Sequence, residues 1–133
     1  MIEQTLIVLK PDAVERNLIG QILSRFEKSN FKIVKLQKLN YTNEMAQTFY
    51  SAHKEKPFFG ELVSYITSGP VVAAVLEGEN VIEKTRQING ATDPKKAEKG
   101  TIRGDYGIGI TNNTIHASDS PQSFEKEVKV VFP

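Results

Sequence analysis

An α+β fold is what this sequence predicts, and three observations carry the prediction. Short runs of β-forming residues alternate with longer stretches whose apolar residues recur at helical spacing. One run, Val71-Val72-Ala73-Ala74-Val75-Leu76, is apolar throughout, as a central strand covered on both faces requires. The order strand, helix, strand, helical hairpin, strand, helix, loop, helix contains two strand-helix-strand-like halves. That order suggests a ferredoxin-like antiparallel β-sheet with helices packed on one face, extended by a helical hairpin and a long loop, and it is also compatible with a small doubly wound sheet.

At 133 residues, 39% of them hydrophobic and 25% charged, the chain reads as one globular domain spanning residues 1–133. No apolar run approaches the ~20 residues that span a bilayer, and the N-terminus lacks the basic flank and apolar core of a signal peptide. No membrane partner is expected, and the cytoplasm is the expected location. The absence of cysteine excludes disulfides, thiolate zinc sites and thiol nucleophiles, and two histidines far apart argue against a histidine-rich metal cage. A net charge of +1 argues against obligate binding of long nucleic acid, which calls for a clearly basic face. It leaves room for a local basic cluster that binds a single small anion.

In chain order, Glu3 to Leu9 is a short apolar run that predicts a buried strand. Pro11 disfavours helix at Lys10, so the lysine closes the strand where its ammonium can turn into a cleft or out to water. Leu18, Ile19, Ile22, Leu23 and Phe26 form a helical stripe within a helix expected over Asn17 to Asn30. Phe31 to Leu39 is β-rich with imperfect alternation and predicts a strand with its lysines exposed. Thr42 caps a helix expected from Asn43 to Lys54, with Met45, Phe49 and Ala52 inward and Tyr50 and His53 sharing a structural face. Pro57 breaks the chain before a second helix, Phe58 to Thr67, whose apolar side is Leu62, Val63 and Ile66. The two helices make a hairpin whose edge can close over a ligand. On spacing alone, Phe58 and Phe59 both read as core. Gly69-Pro70 ends the hairpin, the all-apolar run follows, and Asn80 with Glu83 resembles a capping box for a helix through Ile88.

The stretch from Gly100 to Ser120 has a different character. Glycines at 100, 104, 107 and 109, Arg103, and a run of hydroxyl and amide side chains sit in a segment with no helical apolar period. Glycine permits positive φ and close backbone approach, and the donors suit oxyanions, so the segment reads as a phosphate-facing loop. It ends at His116, and a free imidazole, with a pKa of about 6.5, is neutral often enough near pH 7 to attack phosphorus. Ser120-Pro121 then starts a helix through Phe124 and Val128, whose positive end favours incoming negative charge beside the histidine. Glu127, two turns into that helix, is placed either to hold one imidazole N–H or to pair with Lys126 or Lys129 on a solvated face; spacing alone favours the solvated pairing.

Thr101-Ile102-Arg103-Gly104-Asp105-Tyr106 and Asn113-Thr114-Ile115-His116-Ala117-Ser118-Asp119-Ser120 resemble the signature of nucleoside diphosphate kinases. The similarity extends to Leu9-Lys10-Pro11-Asp12, Lys56-Pro57-Phe58-Phe59 and Gly90-Ala91-Thr92-Asp93-Pro94, in order over nearly the whole chain. One departure is Ala117, where glycine is common. The resemblance implies the ferredoxin-like fold and a two-step relay. His116 takes the terminal phosphoryl group of a nucleoside triphosphate, typically ATP, and a second nucleoside diphosphate collects it.

By the same resemblance, Lys10, Arg86 and Arg103 neutralise phosphate oxygens, Thr92 donates a hydrogen bond to them, and Asn113 contacts sugar or phosphate. Phe58 and Leu62 form the base slot, Ile110 completes the nucleotide-binding set, Glu127 orients His116, and Ser118 assists. Mg2+ is the implied cofactor, held mainly by nucleotide phosphates and water because no carboxylate cage is visible. A homo-oligomer, tetramer or hexamer, is also implied. Two rival readings remain at this level: a histidine phosphatase-like hydrolase, and a nucleotide- or single-strand-binding module without turnover.

Overall fold

The computed structural model describes residues 2–109 and 112–133. Four strands, β1 (Ile2–Leu9), β2 (Lys32–Leu39), β3 (Val71–Glu79) and β4 (Ile115–Ala117), form one antiparallel sheet in the order β2-β3-β1-β4. Around it run α1 (Pro11–Glu15), α2 (Ile19–Lys28), α3 (Asn43–Phe49), α4 (Phe59–Ile66), α5 (Val81–Asn89), α6 (Ile102–Tyr106) and α7 (Pro121–Val131). The antiparallel pairing excludes the doubly wound alternative.

Alternating side chains of β1 and β3 feed two cores. Ile7, Leu9, Val72, Ala74 and Leu76 meet Leu18, which precedes α2, Ile22 and Phe26 of α2, and Val81 and Ile82 of α5. On the opposite face, Leu6, Val8, Val71, Ala73 and Val75 meet Phe49, Val63, Ile66 and Val131 from α3, α4 and α7. The apolar run at 71–76 is therefore buried throughout because the hairpin and the C-terminal helix cover the face that a one-sided sheet would leave open. No helix among the described residues is long and apolar enough to cross a membrane.

Local chemistry accounts for several helix starts. Thr42 Oγ1 accepts the Met45 N–H at 3.1 Å, and Ser120 Oγ accepts that of Ser123 at 3.1 Å, as expected of N-caps. The imperfect alternation of β2 is a register shift between Ile33 and Lys35.

Five expectations are corrected. The helix expected over 17–30 is trimmed to α2, with Asn17 and Asn30 outside its ends at φ +60° and +68°, and the short α1 before it was not expected. The helix from Asn43 ends at Phe49 and gives way to a 3-10 turn, Ser51–His53, which leaves Ala52 exposed. Asn80 takes φ +53° and makes no side-chain cap, so no capping box forms. The 100–120 stretch is not loop throughout: it holds α6 and β4, with Ile102 and Ile115 fully buried. Of its four glycines only Gly100 takes positive φ, whereas Gly104 is required because a Cβ there would collide with the Glu98 carbonyl.

Candidate active site

The carboxyl end of β1, strand β4, the tip of the α3–α4 hairpin, the end of α5 and the start of α7 enclose a cleft of about 990 Å³. His116 stands on β4, opposite Val8 of β1. Its Nε2 lies 2.9 Å from Glu127 Oε1, and the same oxygen accepts the Ser118 hydroxyl at 2.8 Å. The imidazole also packs edge-on against Phe49, with ring centroids 4.8 Å apart. With Nε2 donating to the carboxylate, Nδ1 keeps its lone pair. Pairing with Glu127 therefore takes the place of the solvated pairing that spacing favoured. It is possible because the β4–α7 turn brings residues eleven apart onto one wall.

Lys10, Phe58, Leu62, Arg86, Thr92, Arg103 and Asn113 line the cleft together with His116 and Glu127. Ser118 is fully buried behind the wall, and Ile110 lies outside the described residues. Lys10 is buried, and its Nζ donates to Asn113 Oδ1 at 2.8 Å. Asn113 Nδ2 donates in turn to the Thr92 carbonyl at 2.9 Å, so one amide ties three of the expected phosphate-binding segments together. Arg103 is held by two carbonyls, Gly90 at 2.8 Å and Ile115 at 2.7 Å. Gly90 can serve there because it sits at φ +87° against Thr101, where a Cβ would collide.

These cations strain one another electrostatically. Burial, with the Arg103 charge adding and Asp12 opposing, pulls Lys10 down to about 7. Burial and the Arg86 charge pull Arg103 down to about 10. Lys10 and Arg103, crowded with Arg86, would gain from an arriving polyanion.

At the mouth, Phe58 is 42% exposed rather than core, tilted against His53 at 5.7 Å, with Ile108 also exposed. Tyr50 and His53, expected to be structural, line the cleft as well. Sequence reasoning missed Phe49 against the imidazole, and it missed Asp119 and Ser123, which bring the N-terminus of α7 into the cleft. The adjacency of Asp119 and Ser123 to the recognised Ser120 cap was the signal available for the latter pair.

Comparison with known proteins agrees with this geometry. A family model described as nucleoside diphosphate kinase matches residues 3–133. The nucleoside diphosphate kinase of Halalkalibacterium halodurans is 55% identical over 130 residues, covering 98% of this chain and 88% of that protein. That of Thermoplasma acidophilum is 53% identical over 132 residues, covering 99% and 89%. Among solved structures, the Aquifex aeolicus nucleoside diphosphate kinase matches with a TM-score of 0.97 at 47% identity, covering 100% of this chain and 96% of that one. The Halobacterium salinarum nucleoside diphosphate kinase in complex with CDP matches with a TM-score of 0.96 at 44% identity, covering 99% and 88%. By family match, sequence identity and fold, this chain belongs to the nucleoside diphosphate kinase family and is a phosphotransferase.

Proposed function

We propose that the chain moves the terminal phosphoryl group of a nucleoside triphosphate, typically ATP, to a nucleoside diphosphate by a ping-pong relay through phosphohistidine at His116, maintaining nucleoside triphosphate pools. The carrying observation is an imidazole whose Nε2 is held by Glu127 in a cleft lined by Lys10, Arg86 and Arg103. Nδ1 attacks the γ-phosphorus, the bond to the β–γ bridging oxygen breaks, and the diphosphate leaves with that electron pair. The proton on Nε2 stays against Glu127, which stabilises the charge the ring acquires. In the second half-reaction a terminal oxygen of another diphosphate attacks the phosphorus and the N–P bond breaks. One cleft serves both halves, so no second nucleotide site is needed.

Lys10, Arg86 and Arg103 neutralise the phosphate oxygens, and Thr92 and Asn113 hold their positions. Ser118 fixes the Glu127 carboxylate. Phe58 and Leu62 receive the base by stacking and contact, without reading its edge, so base tolerance is broad; Ile110 is proposed as a further nucleotide-binding residue. Among the described residues no group of three or more carboxylates or imidazoles is spaced to hold a metal, and Glu127 and Asp119 are already bonded to their own neighbours. That donor set fits Mg2+ carried on the nucleotide phosphates and water rather than in a protein cage. When bound it supplies charge neutralisation on those oxygens.

The reading includes assembly into a tetramer or hexamer. β2 is an edge strand that exposes Val34 and Leu36, an edge suited to covering by another copy. A cytoplasmic location, without membrane or obligate nucleic-acid partners, suits an enzyme of soluble nucleotides.

Intact mass after brief mixing with Mg2+ and ATP is the test, beside His116→Ala. One phosphoryl group is expected on the wild type only, and it should leave on addition of a different nucleoside diphosphate. Without an adduct, and with no new triphosphate, the relay is wrong and a binding module is the better account.

A further inference from the structure

Asp12 has entered so far only as a charge near Lys10, although it is the buried acid of the Lys10-Pro11-Asp12 corner, only 8% exposed. Both of its oxygens are engaged. Tyr65, from the last turn of α4, donates a short hydrogen bond to Oδ1, and the same hydroxyl accepts the Asp12 backbone N–H at 2.9 Å. Thr114 Oγ1 donates to Oδ2 at 3.1 Å, and Arg16 lies 3.8 Å from that oxygen.

Thr114 is the unusual partner. It sits at φ +81°, a conformation that a β-branched residue holds only when its surroundings impose it. What depends on that turn is the reacting end of the cleft. The Thr114 carbonyl accepts the Lys10 N–H at 2.9 Å, the preceding Asn113 meets Lys10 Nζ, and His116 follows two residues later on β4. Tyr65 stands one helical turn beyond Leu62, so the same carboxylate also joins the base end of the hairpin to the phosphate end.

We infer that Asp12 is a positioning residue, which together with Tyr65 holds Thr114 in its left-handed conformation and so makes Lys10, Asn113 and His116 converge on the phosphates. The inference rests on the reading in which His116 accepts the phosphoryl group. Asp12 touches no reacting atom in this scheme; beyond its charge near Lys10, which both backgrounds of the test share, its influence passes through residue 114.

That route makes the test specific. Glycine adopts positive φ without cost, so the Thr114→Gly background leaves nothing for the Asp12 hydrogen bond to enforce. The experiment measures single-turnover formation of phosphoenzyme from saturating ATP and Mg2+ in the wild type, Asp12→Asn, Thr114→Gly and the double variant, with ATP affinity measured alongside. Asp12→Asn is expected to slow phosphoenzyme formation about tenfold with Thr114 in place and less than about threefold in the Thr114→Gly background, with little change in ATP affinity. Equal factors in both backgrounds, or a loss confined to ATP affinity, overturn the inference while leaving the relay intact. Tyr65→Phe, compared in the same two backgrounds, carries the test if Asp12→Asn does not fold; about threefold against no effect is expected. A wild type that forms no phosphoenzyme overturns the relay and this inference together.

Discussion

The two ends of the cleft are built differently. At the reacting end, Lys10, Asn113 and Ser118 are buried, Arg103 is partly buried, and each is fixed by hydrogen bonds to another element or loop, Lys10 to Asn113 across 103 residues of chain. At the mouth, Phe58 is 42% exposed and Ile108 57% exposed, and the Phe58 ring meets the His53 ring and the Lys56 ammonium. The difference separates two tasks. Charge that moves between atoms needs dipoles fixed in advance, because reorganising them during the reaction raises the barrier. A base that only has to be held needs a flat apolar surface, and any base supplies the matching face.

Substitutions at the two ends should therefore fail in different ways. Lys10→Met is expected to lower kcat for triphosphate formation by about 10²- to 10³-fold, the scale for losing one preorganised charge donor, measured at saturating nucleotides. Phe58→Ala should instead raise KM by about tenfold for purine and pyrimidine diphosphates alike, with kcat nearly unchanged. A kcat loss at Phe58 as large as at Lys10 would erase the distinction.

The smallest effect concerns protons. Burial holds Lys10 at about 7 in the free protein, so at pH 8 the amine is mostly neutral, and arriving phosphates favour its charged form. Nucleotide binding at pH 8 should take up a fraction of a proton, read as a dependence of calorimetric heat on the ionisation enthalpy of the buffer, and Lys10→Arg should abolish it. The linkage with folding has a definite sign. Because the folded pKa is lowered, the unfolded chain binds more protons between about pH 7 and 10.5, and stability gains from this group as pH rises through that window. Lys10→Met should therefore be the more stable protein below pH 7, and its advantage should vanish above about pH 10.5.

What could be read in advance follows the range of the interactions. The Thr42 and Ser120 caps and the apolar run of β3 depend on neighbours within a few residues, and they were legible. β4 was not, since three residues carry no periodicity and their strand character comes from pairing with β1, more than a hundred residues earlier. Nor was the exposure of Phe58, because an aromatic beside a proline looks alike in a core and at a rim. The site residues emerged from motifs in register. Their mutual bonds, Lys10 to Asn113 and Thr114 to Asp12, belong to the tertiary structure alone. The capping box at Asn80 failed because the cap residue adopts a left-handed backbone that no side-chain pattern announced.

The sheet order β2-β3-β1-β4 has a consequence for biosynthesis. β1 leaves the ribosome first, yet the partner on its outer edge is β4, close to the other end of the chain. Until that late segment emerges, β1 presents an open row of backbone donors and acceptors, and loop closure over about a hundred residues is slow. A stalled nascent chain would therefore hold most of the helices and both cores' central strands while lacking the strand that carries His116. Premature chains would be sticky and inert together, and catalytic competence would arrive in the same event that seals the sheet.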